Sequence, residues 1–246
     1  MIQKLKQKLK GNIVQKVIKK IFNFYTKLET IYPEPLNIKS TDKILILAPH
    51  ADDESIGCGG LLLNYANQCD VIFLTDGRHG DKDIEPSEMI EIRKKEFQNV
   101  MKKLNVNNYQ LLGVEDTKLI DNYNMFKTIN FNSYDYIFIP NHLDQHPDHK
   151  AVIKHIKQAY YNNNIDDNIQ IGMYEVWGTL PLPNFYIDVS SIIEDKKEII
   201  NMYHSQIKHI DYATKISALN EYRGMTVNKY SIECYCIMNI QDLQGL

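Results

Sequence analysis

Two short segments concentrate the residue types that hydrolytic metal chemistry uses. The first, LAPHADD at 47–53, sets one imidazole, His50, and two carboxylates, Asp52 and Asp53, directly after a run of apolar residues. In a turn of that kind His50 and Asp53 face one ion while Asp52, between them, faces the water the ion carries. An isolated HxDD has a blander reading, since an Asp beside a helix start is often only a cap. The second segment narrows the choice: His142, Asp144, His146, Asp148 and His149 fall within eight positions, and three of the chain's eight histidines in one loop exceed what core filling uses. If both segments leave the same side of one sheet, two ligands from the first and one from the second converge. Two imidazoles and one carboxylate with an open position suit catalytic zinc, and the same set accepts Fe2+ or another divalent ion.

The elements that must position these groups are legible in the alternation of the chain. Residues 43–49, KILILAP, read as a central strand and 54–67 as the helix behind it. The pattern then repeats: strand 70–75, helix 86–104, strands 109–113 and 135–140, helix 148–161, strand 169–176. Buried strands alternating with amphipathic helices predict an α/β fold, a mostly parallel sheet covered on both faces. Such sheets bind ligands beyond the carboxyl ends of their strands. The polar clusters fall there, after the first, second, fourth and fifth of these strands. From Asp188 onward two more helices are expected, with 234–240 as an edge strand.

Composition bounds the partners. The 246 residues suffice for one large domain, and the expected division is an N-terminal extension and linker, 1–36, followed by a single catalytic domain, 37–246. Residues 1–27 hold eight of the 28 basic residues and no acid, so 20 basic residues face 31 acidic ones in the remainder, a balance of -11. A body this acidic, without interleaved basic and aromatic residues, is not expected to bind nucleic acid. Residues 2–28 carry an apolar helical stripe opposite those lysines, and four readings stay open: packing on its own domain, packing on a homo-oligomer partner, lying on the inner face of a membrane as a peripheral contact, or a floppy tail. Its length and flanks fit neither a membrane span nor a signal peptide. Four cysteines without a CxxC pair suit a reducing, cytoplasmic setting.

PHADDE at 49–54 and HPDHKAV at 146–152 resemble the paired motifs of the PIG-L or LmbE-like N-deacetylases. The likeness extends through LTDGRHG at 74–80, Arg93 with Glu96, YEVWG at 174–178 and YHSQ at 203–206, and so covers about 42–225. It implies a Rossmann-like three-layer sandwich, a zinc cofactor held by His50, Asp53 and His149, and Asp52 as general base. It further implies His146 beside the reacting carbonyl, with Asp148 as its orienting partner; a neighbouring carboxylate such as Asp148 is also expected to favour the imidazolium form of His146. Two positions depart from the family's usual pattern. Ala51 stands where most members have proline, which removes a fixed φ but no chemical group; Arg78 stands where members often carry an acid, which bears on substrate and not on reaction.

Other residues divide between site and scaffold. Arg93 is expected either to meet an anionic part of the substrate or to pair with a helix acid such as Glu96, and Trp177 either to wall a sugar or to pack in the core. Glu54 reads as a helix-start acid or as a partner of a ligand histidine; His142 and Asp144 as loop wall or ligand support; His79 as rim; His155 as a satisfied helix histidine. GCGG at 57–60 lies after two acids, where a pyrophosphate is repelled, so close helix packing explains its glycines better than nucleotide binding. The expected activity is metal-dependent removal of an N-acetyl group from an N-acetylglucosamine-type conjugate, soluble or lipid-linked. The alternatives are hydrolysis of another amide or a phosphoester, and a catalytically silent glycan-binding domain.

Overall fold

A computed structural model describes residues 32–208 and 210–246; the expectations for residues 1–28 lie outside the described residues. Ile44–Ala48 (β2) is buried along its whole length, the outcome expected of an unbroken apolar run. Its odd and even side chains feed different cores: Ile44 and Ile46 join Val71, Phe73 and Phe138 on one face, while Leu45 and Leu47 join Ile72, Leu74, Ile137 and Ile139 on the other. This period-two division is what a sheet covered on both faces requires.

Around β2 stand Glu34–Pro35 (β1), Cys69–Thr75 (β3), Asn108–Val114 (β4), Tyr136–Pro140 (β5), Gln170–Tyr174 (β6), Phe185–Asp188 (β7) and Ile232–Asn239 (β8). Their order in the sheet is β1-β7-β8-β6-β5-β2-β3-β4, and β8 alone runs against its neighbours. The helices are Asp53–Tyr65 (α1), Pro86–Leu104 (α2), Tyr123–Phe126 (α3), Pro147–Tyr161 (α4), Ile193–Asn201 (α5), His204–Ile207 (α6), Tyr212–Gly224 (α7) and Ile240–Leu243 (α8). Leu61 of α1, Phe97 and Val100 of α2 and Ile199 of α5 cover one face, and Val152 and Ile156 of α4 cover the other. The result is the three-layer, mostly parallel α/β sandwich expected from the alternation.

Two sequence expectations change, and one strand carries no sequence signal. The run at 234–240 forms an interior strand, not an edge: β8 pairs with β6 through Gly172↔Ile237 and with β7 through Tyr186↔Cys234. An antiparallel strand buried between two others has the same apolar character as an edge strand with one covered face, so composition does not separate them. Within the expected linker, Glu34 and Pro35 pair with Phe185 and Tyr186, and Leu36 is buried in the core. The four-residue strand β7 is too short to show periodicity and went unread. The glycines after the acid pair behave as expected of close packing: a Cβ on Gly57 would lie 2.2 Å from Tyr174 Cδ2, and one on Gly60 would lie 2.3 Å from Val189 Cγ1.

β8 also anchors a buried polar cluster. Glu233 accepts from the backbone N–H of Gly60 (2.9 Å) and Leu61 (3.0 Å), and from Tyr235 Oη and Lys196 Nζ. Every oxygen of this buried carboxylate is therefore occupied, as burial demands.

Candidate functional site

Strand order reverses between β2 and β5: from β2 the chain moves to β3 on one side, and β5 lies on the other. Loops leaving the two strands part there and open a crevice. The first histidine-acid segment follows β2 and the second follows β5, so the topology brings both to one point.

At that point three donor atoms form a nearly equilateral triangle. His50 Nδ1 lies 3.3 Å from Asp53 Oδ2, Asp53 Oδ2 lies 3.2 Å from His149 Nε2, and His149 Nε2 lies 3.4 Å from His50 Nδ1. Ligands about 2.0–2.1 Å from a tetrahedral zinc stand roughly 3.3–3.4 Å apart. The set therefore fits a small divalent cation without rearrangement. Charge makes the same demand. Burial lowers the His50 pKa, yet Asp116, Asp148 and Asp53 outweigh it and hold the ring well above its ordinary value. His149 is likewise opposed by burial but carried up to about 9 by Asp53 and Asp144. Burial raises Asp53, and the two histidines more than offset that and hold it well below the usual carboxylate range. A centre that draws protons onto two buried imidazoles is one that stabilises positive charge.

The outer nitrogens of the rings are held by carboxylates. His50 Nε2 lies 3.2 Å from Asp116 Oδ1 and 3.3 Å from Asp148 Oδ2, and His149 Nδ1 lies 3.0 Å from Asp144 Oδ2. His50, Asp116 and Asp148 also bring three donor atoms together, as do His50, His146 and His149. A neutral imidazole offers one nitrogen to a cation and keeps its proton on the other, so with Nδ1 in the triangle Nε2 is the donor to the acids. Asp116 and Asp148 thus orient His50.

This arrangement corrects the expected role of Asp148. Its carboxylate accepts from the backbone N–H of Thr117 (2.8 Å) and Leu119 (3.2 Å) and faces His50, not His146. His146 caps α4, and its Nδ1 accepts from the Asp148 backbone N–H at 3.3 Å, which puts the proton of the neutral ring on Nε2. The expected imidazolium form is also not favoured: burial and the charges of His50 and His149 lower the His146 pKa, and the pull of Asp148 does not overcome them.

Asp52 stands beside the triangle with φ 137°, a backbone conformation that side-chain-bearing residues rarely adopt. Burial pushes its carboxyl up to about 6 against the pull of Arg93. Arg93, 2% exposed, donates from Nη2 to Asp52 Oδ1 at 3.2 Å, so the helix acid Glu96 is not its hydrogen-bond partner. Its Nε and Nη1 are buried without partners, and it lines the cleft with His50, Asp52, Asp53 and His146. Trp177 is 56% exposed, meets Tyr212 edge-on at 5.7 Å and forms a wall of the same cleft, not core. Asp144 supports rather than lines: its carboxylate lies 3.0 Å from His149 Nδ1, and it accepts from the N–H of His146 and Trp177 at 3.0 and 3.1 Å. His79 lies on the rim, and His155 donates through Nε2 to Leu119 O at 2.7 Å.

Sequence reasoning passed over Asp116 and Thr117, in the loop after β4. Thr117 carries φ 71°, strained for a β-branched residue, and lines the cleft with Asp116. The readable signal was an acid pair, Glu115–Asp116, directly after a strand; no histidine accompanies it.

The profile of the family described as PIG-L, GlcNAc-PI de-N-acetylase, matches residues 45–160, which include both histidine-acid segments. The chain is 28% identical over 152 residues to the probable N-acetyl-alpha-D-glucosaminyl L-malate deacetylase 2 of Bacillus subtilis (strain 168); the match covers 51% of this chain and 64% of that protein's length. Among solved structures, N,N'-diacetylchitobiose deacetylase from Pyrococcus horikoshii superposes with a TM-score of 0.71 at 21% identity, covering 92% of this chain and 93% of its own. GalB, the 4-carboxy-2-hydroxymuconate hydratase from Pseudomonas putida KT2440, superposes with a TM-score of 0.58 at 14% identity over 80% of this chain and 96% of its own. A hydratase and a deacetylase share this fold, so the reaction has to be argued from the site.

Proposed function

We propose that this chain, whose residues 45–160 match the PIG-L family profile, hydrolyses the acetamide of an N-acetylglucosamine-type conjugate, with zinc held by His50, Asp53 and His149. The observation that carries this reading is the donor triangle, with edges of 3.2, 3.3 and 3.4 Å, beside a half-buried carboxylate, Asp52, that is not part of it. A divalent metal in such a site polarises the acyl oxygen and lowers the pKa of the hydrolytic water. Asp52, whose carboxyl is pushed up by burial in the metal-free protein and which is not part of the triangle, is placed to take the proton of that water and return it to the departing nitrogen. His146, neutral with its proton on Nε2, supplies an N–H for the charge that develops on the acetyl oxygen. Asp148, Asp116 and Asp144 keep the ligand rings in place.

Substrate contacts follow from the cleft. Trp177 and Tyr212 offer flat apolar surface to a sugar face. The two unpartnered nitrogens of Arg93 suit a carboxylate or another anionic part of the substrate. The Bacillus subtilis relative is named for a malate aglycone, a dicarboxylate, and the same chemistry fits here. The lysine-rich residues 1–28 suit either a lipid-linked conjugate at the inner face of a membrane or a homo-oligomer contact, and the four free cysteines suit the cytoplasm.

The test is a release assay on the zinc-loaded protein with N-acetylglucosaminyl malate, N,N'-diacetylchitobiose and a lipid-linked N-acetylglucosamine. Acetate and free amine released in equal amounts from at least one of them support the proposal. Phosphate release from a phosphoester panel with no acetate from any sugar sinks it.

A further inference from the structure

Asp52 is held in a strained conformation, φ 137°, and strain of that kind persists only where the surroundings over-determine it. Two groups do the holding. Glu54 Oε2 accepts from the Asp52 backbone N–H at 3.1 Å, and Arg93 Nη2 donates to the Asp52 carboxylate at 3.2 Å. One fixes the main chain and the other the side chain. Both converge on Tyr203, a side chain only 1% exposed that touches none of the three metal ligands through any hydrogen bond. Tyr203 Oη donates to Glu54 Oε1, which also accepts from Ser55 Oγ at 2.7 Å, and the Arg93 guanidinium carbon sits 5.7 Å from the centroid of the Tyr203 ring.

The segment that carries Tyr203 is itself pinned to α2. Ser205 donates to the Glu96 carboxylate from both N and Oγ at 2.7 Å, and Glu96 lies one helical turn beyond Arg93. Tyr203 and the start of α6 thus fix where Arg93 stands as well as what its face meets. This segment lies outside residues 45–160, the part of the chain that the family profile matches.

From this geometry we infer that Tyr203 is a positioning residue for Asp52: its hydroxyl aims Glu54 at the Asp52 backbone while its ring seats Arg93 against the Asp52 carboxylate. The inference rests on the reading of Asp52 as the base. A buried tyrosine with a satisfied hydroxyl can also be only a piece of core, and the two roles differ in what a deletion of the hydroxyl changes. Loss of packing lowers stability alone. Loss of aim lowers the chemical step while substrate and metal binding stay as they were.

The experiment compares wild type, Tyr203→Phe, Glu54→Gln and the double variant for kcat, KM, zinc affinity and the crystal structure around Asp52. Each single variant is expected to lose about tenfold to a hundredfold in kcat, as removal of such supporting groups does, with KM and zinc affinity within about twofold of wild type. Because both substitutions act through one contact, the double variant is expected to lose no more than the poorer single variant. Asp52 is expected to leave its φ of 137° in the Y203F crystal structure. A kcat for Y203F within about twofold of wild type, or losses that multiply in the double variant, overturns the inference. If Y203F does not fold, the kinetics and crystal structure of E54Q decide in the same terms. If wild type itself releases no acetate, the proposed function fails; the position of Asp52 in the variant crystal structure then still decides whether Tyr203 holds it.

Discussion

Replacing Asp144 with asparagine separates metal affinity from metal ligation. The Asp144 carboxylate lies outside the donor triangle but 3.0 Å from His149 Nδ1, and it also accepts from the backbone N–H of His146 and Trp177. Asparagine keeps an acceptor oxygen of the same shape and removes the charge that makes the His149 ring a stronger ligand. Carboxylates in this position behind a metal-bound histidine are worth about 10–100-fold in affinity, or roughly 1.4–2.7 kcal/mol. For a chain of this size each kcal/mol moves the melting temperature by about 2–4 °C. At equal, saturating zinc the holo D144N protein is therefore expected to melt about 3–11 °C below holo wild type, with a smaller difference between the two metal-free forms. Zinc affinity is read by competition against a chelator of known affinity, and melting by calorimetry. A D144N protein that binds zinc within about threefold of wild type refutes the argument that Asp144 tunes His149. A loss as complete as that of His149→Ala also refutes it, because a ligand and a ligand's support then cannot be told apart.

Other outcomes follow from the same geometry. His149 has its pKa raised from 6.5 to about 9. A raised histidine stabilises the metal-free fold fully below pH 6.5 and loses that contribution as pH climbs through about 9. Zinc must displace this proton, so affinity measured by titration at several pH values is expected to rise across the same window; a flat profile contradicts the assignment. Lys196→Met leaves the buried Glu233 carboxylate without its cation and is expected to cost about 3–5 kcal/mol in denaturant unfolding while the folded fraction keeps its kcat; a loss under about 1 kcal/mol counts against the buried pair as a structural element. Trp177→Ala is expected to raise KM several-fold with little change in melting temperature, since the ring is 56% exposed. The reverse result would place Trp177 in the core.

Those outcomes depend on features that differ in how plainly the sequence shows them. The parallel strands are legible because both of their faces are buried, which leaves unbroken apolar runs such as ILILA at 44–48. The place of β8 is not, because apolar content records burial and not the direction of a neighbour. The ligand segments stand out because His142, His146 and His149 crowd one loop. Spacing alone leaves open where each carboxylate points. Asp148 follows His146 by two residues, yet the first turn of α4 rotates its side chain toward Thr117, Leu119 and His50. Asp116 and Tyr203 enter the site from loops after β4 and α5, and their contribution exists only once the sheet order has carried those loops to the crevice.

The central claim is that His50, Asp53 and His149 hold a hydrolytic metal while Asp52, beside them, moves the proton. The most direct measurement is acetate release together with zinc content for wild type, metal-stripped wild type and Asp52→Asn on one active N-acetyl sugar. Stripping is predicted to abolish turnover and zinc to restore it. D52N is predicted to bind one zinc as wild type does and to lose at least about a hundredfold in kcat, the scale of general acid-base catalysis. A D52N protein that loses its zinc, or one that turns over at close to the wild-type rate when zinc-loaded, contradicts the division between ligand and base.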